Sequence, residues 1–129
     1  MILVDSDILI AHLRGVVAAR TWLSATRAES GPLSVSAVSL AEITGGMRTG
    51  ERRAVWHLLG SFRVEGVNEV IARRAGELMR AHRRSNVGIG LADYLIAATA
   101  ESTGLTLATL NVKHFPMFKG LRAPFKLRI

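Results

Sequence analysis

Three apolar residues that run straight into a carboxylate, Ile2-Leu3-Val4-Asp5, constrain this chain more than any other stretch. A short continuous apolar run bounded by a helix-start signal reads as a strand buried on both faces. Such strands belong to sheets covered by helices on both sides. Asp5 then stands at the carboxyl end of a central strand, the edge where open α/β sheets bind ligands. Ser6 or Asp7 could cap the helix that follows. Capping accounts for one of the two carboxylates and leaves Asp5 open between a structural and a functional role.

The rest of the chain alternates in the same way. Helices are expected over Ile8–Leu13, Val16–Glu29, Ala37–Met47, Arg52–Leu59, from Asn68 onward, and over Leu91–Thr103. Between them lie short strand patterns at Leu33–Ser36, Phe62–Val67 and Leu105–Thr109. The tail from Phe115 to Ile129, with Leu127 and Ile129 alternating, suits a loop and a last edge strand. Punctuation agrees: Gly31-Pro32 and Gly104 follow helices, while Ser36 and Asn68 stand at N-cap positions. Strands alternating with helices mean an α/β fold, a doubly wound, mainly parallel sheet of about five short strands flanked by helices on both faces. Residues 1–129 are expected to form one domain.

No apolar run approaches the roughly 20 residues of a transmembrane helix, and residues 2–4 look like a core strand, not part of an export signal. The absence of cysteine excludes disulfides and thiolate metal sites and suits a reducing cytoplasm. The net charge is +7, and 14 of the 17 basic residues are arginine. Guanidinium forks match phosphate oxygens, so a nucleic acid or an acidic protein is the expected partner.

Of ten acidic residues, Asp5, Glu42 and Asp93 sit among apolar or small residues. Asp93 lies in line with Ile96, Ala97 and Ala100, the buried stripe of its helix, where a carboxylate is expensive unless it is paired or binds a metal. Its first-turn position also favours it through the helix dipole. Glu42 has Val38, Ser39, Gly45 and Gly46 on its face, which leaves room for an ion, although a solvated helix Glu reads the same way. Asn111 places an amide at another strand's carboxyl end, where a plain turn residue is also common. Two strand-end residues and two helix residues can converge on one crevice of a doubly wound sheet. Oxygen ligands without cysteine suit Mg²⁺ or Mn²⁺. His12, His57, His82 and His114 show no ligand spacing and read as structural or surface residues. Gly88-Ile89-Gly90 lacks the third glycine of a dinucleotide fingerprint.

In order and spacing, four pieces resemble a PIN-domain ribonuclease, and more narrowly a VapC-type toxin of a toxin–antitoxin pair. They are Ile2-Leu3-Val4-Asp5-Ser6; Ser36-Ala37-Val38-Ser39-Leu40-Ala41-Glu42; Gly90-Leu91-Ala92-Asp93-Tyr94-Leu95-Ile96-Ala97-Ala98-Thr99-Ala100; and Leu107-Ala108-Thr109-Leu110-Asn111-Val112-Lys113-His114-Phe115. The resemblance implies a PIN-like sheet and a Mg²⁺-dependent endoribonuclease (with Mn²⁺ as a substitute) whose acidic triad is Asp5, Glu42 and Asp93. Asp5 and Asp93 fall on metal ligands. The family's fourth acid falls on Asn111, which carries no charge and is expected to orient water or a ligand. Asp7 is expected to cap the helix. The resemblance further implies RNA of the tRNA or rRNA class as substrate, a small antitoxin as partner, and a homodimer in the cytoplasm. Other readings remain beside it: a PIN nuclease of RNA processing, a non-catalytic RNA- or partner-binding module, and, from Asp5-Ser6-Asp7, a haloacid-dehalogenase-like phosphatase.

Overall fold

A computed structural model describes residues 1–127. Four parallel strands, β1 (Ile2–Val4), β2 (Ser34–Ser36), β3 (Arg63–Glu65) and β4 (Thr106–Ala108), form a sheet in the order β3-β2-β1-β4. Six helices connect them: α1 (Ser6–Leu13), α2 (Val17–Ser30), α3 (Ala37–Gly46), α4 (Arg52–Leu59), α5 (Glu69–His82) and α6 (Leu91–Thr103). A single 3-10 turn, Val112–His114, follows β4. The fifth strand expected in the tail is absent from the described residues, where positions 123–127 run as an irregular strap; Ile129 lies outside them. With Pro124 unable to donate to a ladder, that segment is poorly suited to pairing.

β1 is central because it is apolar on both sides. Ile2, Leu3 and Val4 pair with Thr106, Leu107 and Ala108, and Leu3 also pairs with Ser34. Alternation along the strands sorts the core into two layers. Val4, Val35 and Ala108 pack with Ile8, Leu9, Leu23, Ile43, Val55 and Phe62 beneath α1–α4. Leu3 and Leu107 pack on the other face with Ile71, Ala75, Leu78, Ile96 and Ala97 of α5 and α6. The chain therefore winds doubly, with helices on both faces as expected. β1 leads to β2 and β3 on one side, while β4 arrives on the other. The reversal between β1 and β4 is a topological switch point.

The caps expected at Ser36, Asn68 and Gly104 hold. Ser36 Oγ accepts from the Val38 amide at 3.1 Å and Asn68 Oδ1 from that of Ile71 at 2.9 Å. Gly104 ends α6 at φ +71°, a left-handed conformation that glycine adopts without the steric penalty of a side chain. Among the described residues, no helix is long and apolar enough to cross a membrane.

Candidate active site

The switch point gathers polar groups from five segments. Asp5 leaves β1 at the base of the crevice and is 5% exposed. Its backbone amide still donates to the Ala108 carbonyl at 2.9 Å, so the parallel ladder carries it into the site. Asp5 is also the cap of α1, its Oδ1 accepting from the Ser6 amide at 2.8 Å. Its Oδ2 accepts from the Thr109 hydroxyl at 2.7 Å, across 104 residues of sequence.

Asp7 is not the helix cap expected of it. It sits in the first turn of α1 and turns toward β4, where Oδ2 accepts from the Leu110 amide at 2.9 Å and lies 3.1 Å from Thr109 Oγ1. Its Oδ1 is buried with no hydrogen-bond partner among the described residues. Thr109 thus faces two carboxylates with one hydroxyl hydrogen, while Oγ1 accepts from the Asn111 amide at 3.0 Å. One of its two carboxylate contacts therefore lacks a hydrogen when both acids are ionised.

Glu42 stands on α3 at the rim, with Oε1 accepting from the Ser6 hydroxyl at 3.1 Å; that hydroxyl is also 3.5 Å from Asp5 Oδ1. Asp93 occupies the first turn of α6, and its Oδ2 accepts from the Gly90 amide at 3.3 Å, closing that helix start. Both expected features of Asp93 hold together: it favours the helix end, and Ile96, Ala97 and Ala100 behind it are buried. His114, read from sequence as structural or surface, belongs to the site. Its Nδ1 lies 3.0 Å from Asp93 Oδ2 and 3.0 Å from the Asn111 side-chain amide. Contacts therefore run without a break from Glu42 through Ser6, Asp5, Thr109, Asn111 and His114 to Asp93. All four sequence-selected residues are on that path. Ser6, Thr109 and His114 are the additions along it, and Asp7 joins from the first turn of α1 through Thr109. His114 falls within the fourth family-like stretch, three residues after Asn111, and that proximity was a signal available for it.

The electrostatics are those of crowded acids. Burial and then the Asp7 charge push Asp5 up to about 7, against the opposing hydrogen bonds from Thr109 and Ser6, and Asp93 adds to the rise. Burial raises Asp7 as well, although hydrogen bonds from Leu110 and Thr109 pull it back. Glu42 is raised by partial desolvation of its carboxyl and by the charges of Asp93 and Asp7, with the Ser6 bond opposing. Among the described residues, ion pairs of Arg14, Arg73 and Arg74 go to Glu51, Glu69, Glu77 and Glu101, and none reaches Asp5, Asp7 or Glu42. Converging carboxylates without a basic counter-charge fit a divalent cation. No three acidic or histidine side chains among the described residues converge closely enough to enclose an ion. The carboxylate oxygens gathered there are still the donor type Mg²⁺ takes, since it is commonly held by one or two carboxylates with water and substrate phosphate completing its shell.

Known proteins resemble this chain in sequence and fold. The family model described as PIN domain covers residues 2–116. Ribonuclease VapC10 of Mycobacterium tuberculosis is 68% identical over 97% of this chain and 93% of its own. Among solved structures, a toxin–antitoxin complex from Klebsiella pneumoniae superposes with a TM-score of 0.82 at 26% identity, over 98% of this chain and 100% of the other. VapBC-1 from nontypeable Haemophilus influenzae gives a TM-score of 0.70 at 30% identity, over 89% and 90%. The sheet order, the acids at its switch point and these likenesses agree: the chain belongs to the PIN-domain family, within its VapC group.

Proposed function

We propose that this protein is a Mg²⁺-dependent endoribonuclease and the toxin of a VapBC-type pair, its residues 1–129 acting as one nuclease domain in the cytoplasm. The observation that carries the reading is the cluster of Asp5, Asp7, Glu42 and Asp93 at the β1/β4 switch point, in which burial raises Asp5, Asp7 and Glu42, neighbouring carboxylates raise Asp5 and Glu42 further, and no lysine or arginine among the described residues pairs with any of them. The named relative is a ribonuclease, and the structural neighbours are toxin–antitoxin assemblies.

Asp5 and Asp93 are the residues assigned to hold Mg²⁺, or Mn²⁺ in its place. The ion supplies charge to offset the phosphodiester and favours ionisation of water beside it. Glu42, at the rim and partly desolvated, orients the attacking water and takes its proton. The water oxygen forms the new bond to phosphorus while the bond to the leaving ribose oxygen breaks. Ser6 holds Glu42 and Asp5 in a fixed relation through its hydroxyl. Thr109 and Asp7 hold the loop after β4 against α1, which keeps Asn111 and His114 beside Asp93. Asn111 acts through His114, where sequence alone pointed to water or a ligand.

Arg80, Arg83 and Arg84 line one concavity of about 330 Å³ at the end of α5, on the connection that runs to Asp93. Three guanidiniums with no carboxylate among the lining residues suit RNA phosphates. Unpaired bases of structured RNA, such as tRNA or rRNA loops, are the accessible targets. A small antitoxin that covers the acidic crevice and a homodimeric toxin complete the proposal. Its test is Asp93→Asn: the variant should keep its fold and lose Mg²⁺-dependent RNA cleavage. Full cleavage by that variant would overturn the acidic-site assignment. Metal-independent RNA binding by the wild type with no cutting would favour the binding-module reading.

A further inference from the structure

We infer that His114 is a positioning residue that dictates which oxygen of Asp93 faces the metal, leaving Oδ1 as the single free ligand atom. The inference rests on the metal-nuclease reading above.

Asp93 Oδ2 already accepts from the Gly90 amide at 3.3 Å, and His114 Nδ1 lies 3.0 Å from the same oxygen. A bare Nδ1 would set one lone pair against another, so Nδ1 carries hydrogen and donates to the carboxylate. Such a bond is charge-assisted and correspondingly strong. Nδ1 then has no lone pair for the Asn111 amide nitrogen, 3.0 Å away. With the Asn111 amide turned so that Oδ1 faces the ring, two donors no longer oppose each other and the single Nδ1 hydrogen is shared between Asp93 Oδ2 and Asn111 Oδ1, an orientation that the hydrogen-bond network itself has to assign. With Oδ2 engaged by two donors, Oδ1 is the Asp93 oxygen that no donor among the described residues occupies. The imidazole takes its place from the 3-10 turn, which Asn111 opens and His114 closes. Asn111 meets Thr109 through its own backbone amide. The uncharged residue at the family's fourth acidic position thus anchors the ring that aims the third acid. Orienting groups of this kind are worth about 10–100-fold in metal affinity or activity.

The experiment compares full-length wild type with His114→Leu, His114→Asn and His114→Gln. It reads Mn²⁺ affinity by electron paramagnetic resonance and RNA cleavage as kcat and KM separately. The His114 side chain is 32% exposed, so the substitutions are compatible with folding. His114→Leu should bind Mn²⁺ about 10–100-fold more weakly and lose kcat with KM for RNA unchanged. His114→Asn places a donor where Nδ1 was and should recover most of both; His114→Gln, which mimics Nε2, should not. Wild-type Mn²⁺ affinity in His114→Leu overturns the inference, as does rescue by Gln but not Asn. Mn²⁺ binding that depends on His114 in a protein that cuts no RNA supports the positioning role and overturns the nuclease reading alone.

Discussion

Asp5→Asn should make the metal-free protein more stable while it destroys the site. Burial and the Asp7 charge lift the Asp5 carboxyl from 3.8 in the unfolded chain to about 7 in the fold. A group with a raised folded pKa contributes its full stability below the unfolded value and loses it as pH rises through the folded one. Below pH 4 both states hold the proton and there is no penalty. Between about 4 and 7 the unfolded chain releases it while the fold keeps it, so stability falls across that window and levels off above. At roughly 1.4 kcal/mol per unit, a rise of about three units amounts to about 4 kcal/mol at pH 8. Asparagine removes that penalty, but its single carbonyl oxygen replaces two carboxylate oxygens that accept from Ser6 and Thr109. Losing one such bond costs about 2 kcal/mol, so a net gain of about 2 kcal/mol remains. For a chain of this length that is a rise in Tm of roughly 5–10 °C. The assay is thermal or urea unfolding with chelator present, from pH 4 to 8. The gain should appear at pH 8, shrink toward pH 4, and be accompanied by loss of the Mg²⁺-induced rise in Tm that ligand binding gives the wild type. An Asp5→Asn protein as destabilised at pH 8 as at pH 4 would refute the argument, because the buried carboxylate would then not be a liability of the fold.

Two further outcomes are expected. Asp7→Ala leaves the Leu110 amide without its acceptor, whereas Asp7→Asn keeps a carbonyl oxygen there; in urea unfolding the alanine variant should be less stable than the asparagine variant by about 1–3 kcal/mol, and equal stability would show that the tether carries nothing. Replacing Arg80, Arg83 and Arg84 together by glutamine should weaken binding of single-stranded RNA to the Asp93→Asn background and flatten the slope of log affinity against log salt by about 2, near 0.7 for each phosphate no longer neutralised; an unchanged slope would place the RNA backbone elsewhere.

Much of this molecule is legible along the chain. Ile2-Leu3-Val4 announces a strand buried on both faces, and Leu3 and Val4 do enter the two opposite core layers. The α6 range, the capping side chains at Ser36 and Asn68 and the glycine after α6 were readable because caps and periodicity depend on residues a few positions apart. Asp5, Glu42 and Asp93 stood out since a carboxylate among apolar or small residues violates the local pattern, and violations of that kind mark sites. As far as the described residues reach, the tail misled for the same reason that the strands succeeded: alternation through Leu127 does not by itself supply a neighbour to pair with, and Pro124 precedes it.

Hydrophobic patterning, which is local, was enough to establish that strands alternate with helices, that β1 lies at the centre, and that its carboxylate reaches the carboxyl edge of the sheet. What that carboxylate meets depends on neighbours brought together in space. The order β3-β2-β1-β4 sets β4 beside β1, and that adjacency brings Thr109 to Asp5 across 104 residues, takes Asp7 from the cap to the Leu110 amide, and carries His114 on its short turn to Asp93. These contacts join polar groups whose partners lie on other elements. No periodicity encodes such partners, because they are selected by strand order and by the need of buried polar atoms to find hydrogen bonds.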